Sequence, residues 1–190
     1  MTEVIHITVD ADGIATLLFD RSDSAMNTMD TKFMAEIEAA IERLATDDAI
    51  KGAIFTSGKP VFAAGADLKE MEANLDKAEE IPLAERLRMN ASLSKLLRRM
   101  ETCGKPVACA INGTALGGGT EIALACHYRV VSDARGIQLG LPEVQVGLLP
   151  GGGGTQRVSR LIGIQAAMPV VMEGQALSAE KALKMGLVHK

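Results

Sequence analysis

Residues 106–132, PVACAINGTALGGGTEIALACHYRVVS, decide the fold. VACAIN is a short apolar run bounded by Lys105-Pro106 and by glycine, which predicts a buried strand. A glycine-rich loop over 113–119 follows, then a short apolar helix beginning at Glu121 and running to Ala125, then a second short strand over 129–132. The same alternation continues outward. Upstream, 13–20 (GIATLLFD) and 50–57 (IKGAIFTS) read as strands, and 21–27 (RSDSAMN) as a polar loop. Between them Phe33, Ile37, Ile41 and Leu44 lie at helical spacing, predicting a helix over 31–46 with Asp30 as N-cap. A helical run starts near Asp67, and one long helix is expected over 83–103, with Leu83, Leu87, Leu93, Leu96, Leu97 and Met100 apolar and Gly104 as its stop. Downstream, 137–139 reads as a strand and 147–154 as a loop. Helices are predicted over 155–162, 165–172 and 179–185, the last capped by Ser178 and stopped by Gly186. Strand and helix alternate without an internal repeat or a low-complexity linker, so the expectation is one α/β domain, 1–190, with a largely parallel sheet.

Composition narrows the function. The 190 residues carry a net charge of −4, 47% hydrophobic and 23% charged residues, with no Trp, one Tyr and four Phe. A nucleic-acid platform needs a basic face, and stacking rings if it holds single strands; both are thin. No basic-then-apolar leader opens the chain and no apolar run is clean enough to span a bilayer, so a cytoplasmic protein without a membrane span is expected. Cys103, Cys109 and Cys126 sit in apolar contexts without metal-ligand spacing, which predicts buried, reduced thiols and no metal site.

Twelve of the 19 glycines fall within 113–163, in the runs Gly117-Gly118-Gly119 and Gly151 to Gly154. Neither run has the spacing of a dinucleotide fingerprint or the Gly-Lys-Ser/Thr ending of a P-loop. Glycine also lets a backbone N–H approach a ligand closely, and N–H groups at a helix start are unpaired and sit at the positive end of its dipole. Gly117–Gly119 and FAAGAD (62–67) are therefore either tight turns against a strand or donors to a carbonyl oxygen on which negative charge develops.

Glu121 and Glu143 stand among apolar residues, in GGGTEIALAC and LGLPEV. Each is either a residue at an element's exposed end or a desolvated acid whose raised pKa suits it to give and take protons. His127 has no nucleophile motif beside it and reads as structural. Lys69, Glu70 and Glu72 read as a solvated helix face. Gln156-Arg157 reads as the holder of a loop carbonyl or of a carboxylate in a buried ion pair.

FAAGADLKEM (62–71), INGTALGGGTEIALACHYRV (111–130), LGLPEVQVGLLPGGGGTQRVSRLIG (139–163) and GQALSAEKALKMGLV (174–188) resemble, in order and over nearly the whole chain, the crotonase (enoyl-CoA hydratase/isomerase) superfamily. The nearest resemblance is to the N-terminal hydratase/isomerase region of multifunctional fatty-acid oxidation α subunits. It implies a spiral of repeated ββα units, here ending at Lys190 without the family's C-terminal helical region. It implies an acyl-CoA thioester substrate in a bent pose, no cofactor beyond the coenzyme A of the substrate, and no metal. By motif position the N–H groups of Ala64 and Gly118 would form the oxyanion hole, and Glu121 and Glu143 the acid/base pair. Ala25, Met26, Ala66, Asp67 and Leu68 would contact the CoA, and Thr120 would border the acyl site. The activity implied is hydration of a trans-2-enoyl-CoA in fatty-acid β-oxidation. The alternatives are 3-enoyl-CoA isomerisation, with Glu143 moving a proton from C2 to C4, or a non-catalytic acyl-CoA-binding fragment. A homotrimer, or assembly with the rest of a multifunctional β-oxidation enzyme, is implied as well.

Overall fold

The computed structural model describes residues 3–78 and 80–190. Met1 and Thr2, the first residues of the stretch that reads as free of a leader, lie outside the described residues. Strand β1 (Ile5–Val9) pairs antiparallel with β2 (Ile14–Phe19), which continues in parallel through β3 (Gly52–Ser57), β5 (Val107–Ile111) and β7 (Tyr128–Val131). A second sheet holds β4 (Val61–Ala63), β6 (Thr114–Leu116), β8 (Gln138–Gly140) and β9 (Leu177–Ser178). Its strands are parallel except for the β8–β9 pair.

The repeat lies in how the chain moves between these sheets. β3, β5 and β7 each lie in the first sheet, and β4, β6 and β8, which follow them, each lie in the second. Helix α2 (Leu68–Ala78) follows β4, α5 (Gly118–Ala125) follows β6, and a 3-10 turn (Pro142–Val146) follows β8. This is the ββα spiral, and it brings the segments after β4, β6 and β8 to neighbouring places along one sheet.

Helix α1 (Thr31–Thr46) forms as its sequence dictates. The Asp30 carboxylate accepts the Phe33 N–H at 2.8 Å, and Phe33, Ile37, Ile41 and Leu44 are all buried. All four phenylalanines join in one core row, with Phe33 on Phe19, Phe19 on Phe55 and Phe55 on Phe62 at centroid distances of 4.6, 6.5 and 6.1 Å.

Two expectations change. The helix expected over 83–103 is two helices, α3 (Leu83–Asn90) and α4 (Ser92–Glu101), divided at Ala91. The apolar positions sort accordingly: Leu97 and Met100 are buried, whereas Leu83 and Leu87 are 64% and 60% exposed. The apolar positions before and after Ala91 lie on the faces of two different helices, so they form no single stripe. The second change is at β6, which occupies the middle of what reads as a glycine loop; a three-residue strand is too short to show a period of two.

The remaining helices, α6 (Gly154–Ile162), α7 (Ile164–Met172) and α8 (Ala179–Met185), follow the expected bounds to within a residue. Ser178 caps α8 by accepting the Lys181 N–H, and Gly186 ends it in the left-handed region.

Candidate active site

Between α2, α4, α5 and the 3-10 turn lies a cavity of about 780 Å³. Ala64, Ala66, Leu68, Gly118, Glu121 and Glu143 all line it. Three separate segments of sequence therefore converge there.

Glu121 sits in the first turn of α5 and is 2% exposed. Its Oε2 accepts the Gly152 N–H at 2.8 Å and its Oε1 accepts the Gly154 N–H at 2.7 Å. The close fit explains the glycines. A Cβ on Gly152 would lie 2.6 Å from Glu121 Oε2, and one on Gly154 would lie 3.0 Å from Oε1. The second glycine run is thus an anion cradle whose anion is the chain's own carboxylate. Burial raises the Glu121 pKa, and the two N–H groups and the Arg157 guanidinium oppose that rise.

Glu143 differs. It stands on the 3-10 turn, and its Oε2 is buried without a hydrogen-bond partner among the described residues. Burial pushes its pKa up to about 7, and the charge of Glu121 pushes in the same direction. Its Oε1 lies against Gly117, where a Cβ would come within 3.1 Å. One carboxyl is therefore held by donors that favour its anion, and the other is poised to exchange a proton near neutral pH.

The expected donor at Ala64 is corrected. Its N–H is donated to the Asn27 carbonyl at 2.8 Å and is spent. Two residues on, Ala66 pairs with Met29 as an isolated parallel bridge, using the Gly65 carbonyl and the Asp67 N–H at 2.9 and 3.0 Å. In such a bridge the flanking groups make the bonds, so the N–H of Ala66 itself points away and has no partner among the described residues. Gly118 opens α5 and its N–H has no intrahelical acceptor. Gly65 brings the two segments together: its φ is +89°, and a Cβ there would meet the Leu116 carbonyl at 3.2 Å and the Gly118 nitrogen at 3.8 Å. The unspent pair of N–H groups is that of Ala66 and Gly118. Sequence could not show this, because the acceptor that takes the Ala64 N–H comes from a loop far upstream. Asn27 is fully buried there, its amide donating to the Phe19 carbonyl and the Ser57 hydroxyl at 2.6 and 2.9 Å.

Other expectations separate. Asp67 does not line the cavity; its carboxylate accepts the N–H groups of Lys69 and Glu70 at the start of α2, and the Thr28 hydroxyl. Ala25 and Met26 are exposed on the loop that Asn27 and Met29 fasten to the 64–67 segment, outside the cavity lining. Thr120 is buried behind the cavity and does not line it; its hydroxyl donates to the Ala115 carbonyl at 2.7 Å and accepts the Gly140 N–H, so it ties β6 to β8. Glu70 is no mere solvated residue, since it accepts the Thr31 N–H and hydroxyl. His127 spends both ring nitrogens on backbone, at Val107 N and the Glu101 carbonyl. Cys109 and Cys126 are buried free thiols and Cys103 is half-buried.

The ββα spiral with this cavity makes the chain a crotonase-fold protein. A family model described as enoyl-CoA hydratase/isomerase matches residues 10–190, and the chain belongs to that family. It is 44% identical over 178 residues to the "Fatty acid oxidation complex subunit alpha" of Idiomarina loihiensis, covering 93% of this chain and 24% of that protein. It is 40% identical over 190 residues to the protein of the same name from Shewanella sp. (strain ANA-3), covering 100% of this chain and 26% of that one. The chain thus spans about a quarter of the length of these curated relatives. Among solved structures it is similar to an enoyl-CoA hydratase from Bacillus anthracis (30% identity, TM-score 0.85, 98% of this chain and 69% of that one). It is also similar to DspI of Pseudomonas aeruginosa (32% identity, TM-score 0.84, 99% and 68%). Among the described residues no helix is long and apolar enough to cross a membrane.

Proposed function

We propose that this chain catalyses the addition of water across the 2,3 double bond of a trans-2-enoyl-CoA, as the hydratase part of a fatty-acid oxidation enzyme. The observation that carries the reading is the pair of carboxyls on one cavity: Glu121 cradled by two N–H groups, Glu143 half-buried with one buried, unpartnered oxygen. The thioester oxygen would accept the N–H groups of Ala66 and Gly118. Those donors stabilise the enolate that forms when the β-carbon is attacked, and losing one such donor costs about 10²–10³ in rate. Glu121, as the carboxylate, takes a proton from water while the water oxygen bonds to C3. Glu143, as the acid, gives its proton to C2. The sum is substrate plus water, with the proton on Glu121 returned to Glu143 through solvent.

A second reading, 3-enoyl-CoA isomerisation, is favoured by one feature. Glu143 has a pKa near 7 and an unpartnered oxygen, as a single residue carrying a proton from C2 to C4 requires. Hydration of crotonyl-CoA and isomerisation of a 3-enoyl-CoA, assayed in wild type, Glu121→Gln and Glu143→Gln, separate the two. Loss of hydration in both variants supports the hydratase. Isomerisation that survives Glu121→Gln but not Glu143→Gln supports the isomerase. A wild-type chain that binds CoA thioesters and converts neither marks a binding fragment.

A further inference from the structure

We propose that Arg157, locked by Glu101, is a positioning residue that holds the glycine cradle around Glu121. The inference deepens the hydratase reading and rests on it only for its kinetic arm. Arg157 lies one turn into α6, and its side chain is 11% exposed. Its Nη1 donates to the Gly152 carbonyl at 2.6 Å, on the same residue whose N–H binds Glu121 Oε2. Its Nε donates to Glu101 Oε1 at 2.6 Å. The peptide units on either side of Gly152 are thus pinned by Glu121 and by Arg157.

The rest of the cradle is fixed by backbone, since Gly154 opens α6 and the Gly153 carbonyl accepts the Arg157 N–H at 3.1 Å. Gly153 adopts φ +96°, and Arg157 Nη1 occupies the space that a side chain on Gly153 would need. Gly151 to Gly154 have no side chains with which to pack, so an unbraced loop would sample many conformations. Glu101 is braced in turn: Arg98 donates to its Oε2 and His127 Nε2 faces its carbonyl oxygen. The carboxyl of Glu101 is held below its ordinary range by the arginines, against its own burial. The sequence predicts a loop carbonyl or a carboxylate as the partner of Arg157, and Arg157 binds both.

Charge acts along the same line. The groups facing Glu121 are Glu143 from the 3-10 turn and Arg157 from α6, with Glu101 and Arg98 of α4 behind Arg157. Strands β4 and β6, which also pack on α5, carry no titratable side chain. Arg157 is therefore the cation facing Glu121 among the described residues, and it opposes the effect of burial.

The test titrates Glu121 by carboxyl carbon NMR in wild type, Arg157→Gln and Arg157→Lys, with the signal assigned through Glu121→Gln. Arg157→Gln should move the Glu121 midpoint to higher pH, and Arg157→Lys should largely restore it. In the hydration assay Arg157→Gln should lower kcat by about 10²-fold, as a small misplacement of a catalytic group does. KM should stay near wild type, and the acidic limb of the pH profile should rise with the NMR midpoint. Arg157→Lys should retain the limb while recovering only part of kcat. An unmoved midpoint in folded Arg157→Gln, or a changed KM with unchanged kcat, overturns the proposal. If wild type proves inactive, the hydratase reading falls while the NMR midpoint still decides the role of Arg157.

Discussion

Replacing Glu143 with glutamine should abolish a pH dependence of folding stability that the wild-type chain carries between about pH 4.5 and 7. The carboxyl titrates at 4.5 when free and at about 7 in the fold, because burial disfavours its anion. Between those values the folded state holds a proton that the unfolded state has lost. The unfolded state then binds fewer protons, so stability falls as pH rises. The contribution of Glu143 is full below pH 4.5, declines through the interval and is constant above 7. At about 1.4 kcal/mol per pH unit, and with the discount that solvent screening imposes on a half-buried carboxyl, the loss amounts to roughly 1–2 kcal/mol by pH 8. Glutamine has nearly the same shape and does not titrate. Urea unfolding of both proteins at pH 4, 5, 6, 7 and 8 gives the difference, in which the other titrating groups largely cancel. Relative to its offset at pH 4, Glu143→Gln should gain about 1–2 kcal/mol by pH 8, with the slope m unchanged. Parallel pH curves for the two proteins would refute the claim that the Glu143 carboxyl is desolvated with one oxygen unpartnered. The same desolvation would then be unavailable to explain the acid role proposed for it.

Three further changes probe the frame around the site. Gly152→Ala puts a Cβ within 2.6 Å of Glu121 Oε2 and should cost about 1–3 kcal/mol and most of any activity, read by denaturant melts and the hydration assay. Asn27→Ala removes a buried amide that binds the Phe19 carbonyl and the Ser57 hydroxyl. Thermal melts should register a loss of about 2 kcal/mol or more. The division of residues 83–103 into two helices predicts unequal leucines. Leu97→Ala should cost about 2–5 kcal/mol, and Leu87→Ala should fall within about 0.5 kcal/mol of wild type in the same melts.

Local chemistry made much of this protein legible. The Asp30 cap, the stripe of α1 and the Ser178 and Gly186 ends of α8 are short-range features, and they stand where periodicity and capping put them. The two glutamates stood out because a carboxylate among apolar neighbours needs an explanation. Strand β6 was hidden in a glycine loop because its pairing, to β4 and β8, is entirely non-local. Thr120 illustrates the same gap, since a hydroxyl beside a catalytic candidate turned out to bind the backbone behind it.

Sequence by itself determined the alternation of strands and helices, the unusual glycine runs, and the two acids that needed a reason to be buried. These follow from backbone propensity and from the cost of hiding charge, both properties of a residue and its near neighbours. Only the tertiary structure decided what each glycine run serves and which N–H groups remain unspent. The Asn27 carbonyl, from a loop upstream, takes the Ala64 donor and leaves that of Ala66. The run that looks like a phosphate cradle is filled by Glu121, carried on a helix some thirty residues earlier. A hydrogen bond satisfies its donor wherever the acceptor lies along the chain, so the accounting of free and spent groups closes only when the whole fold is in place.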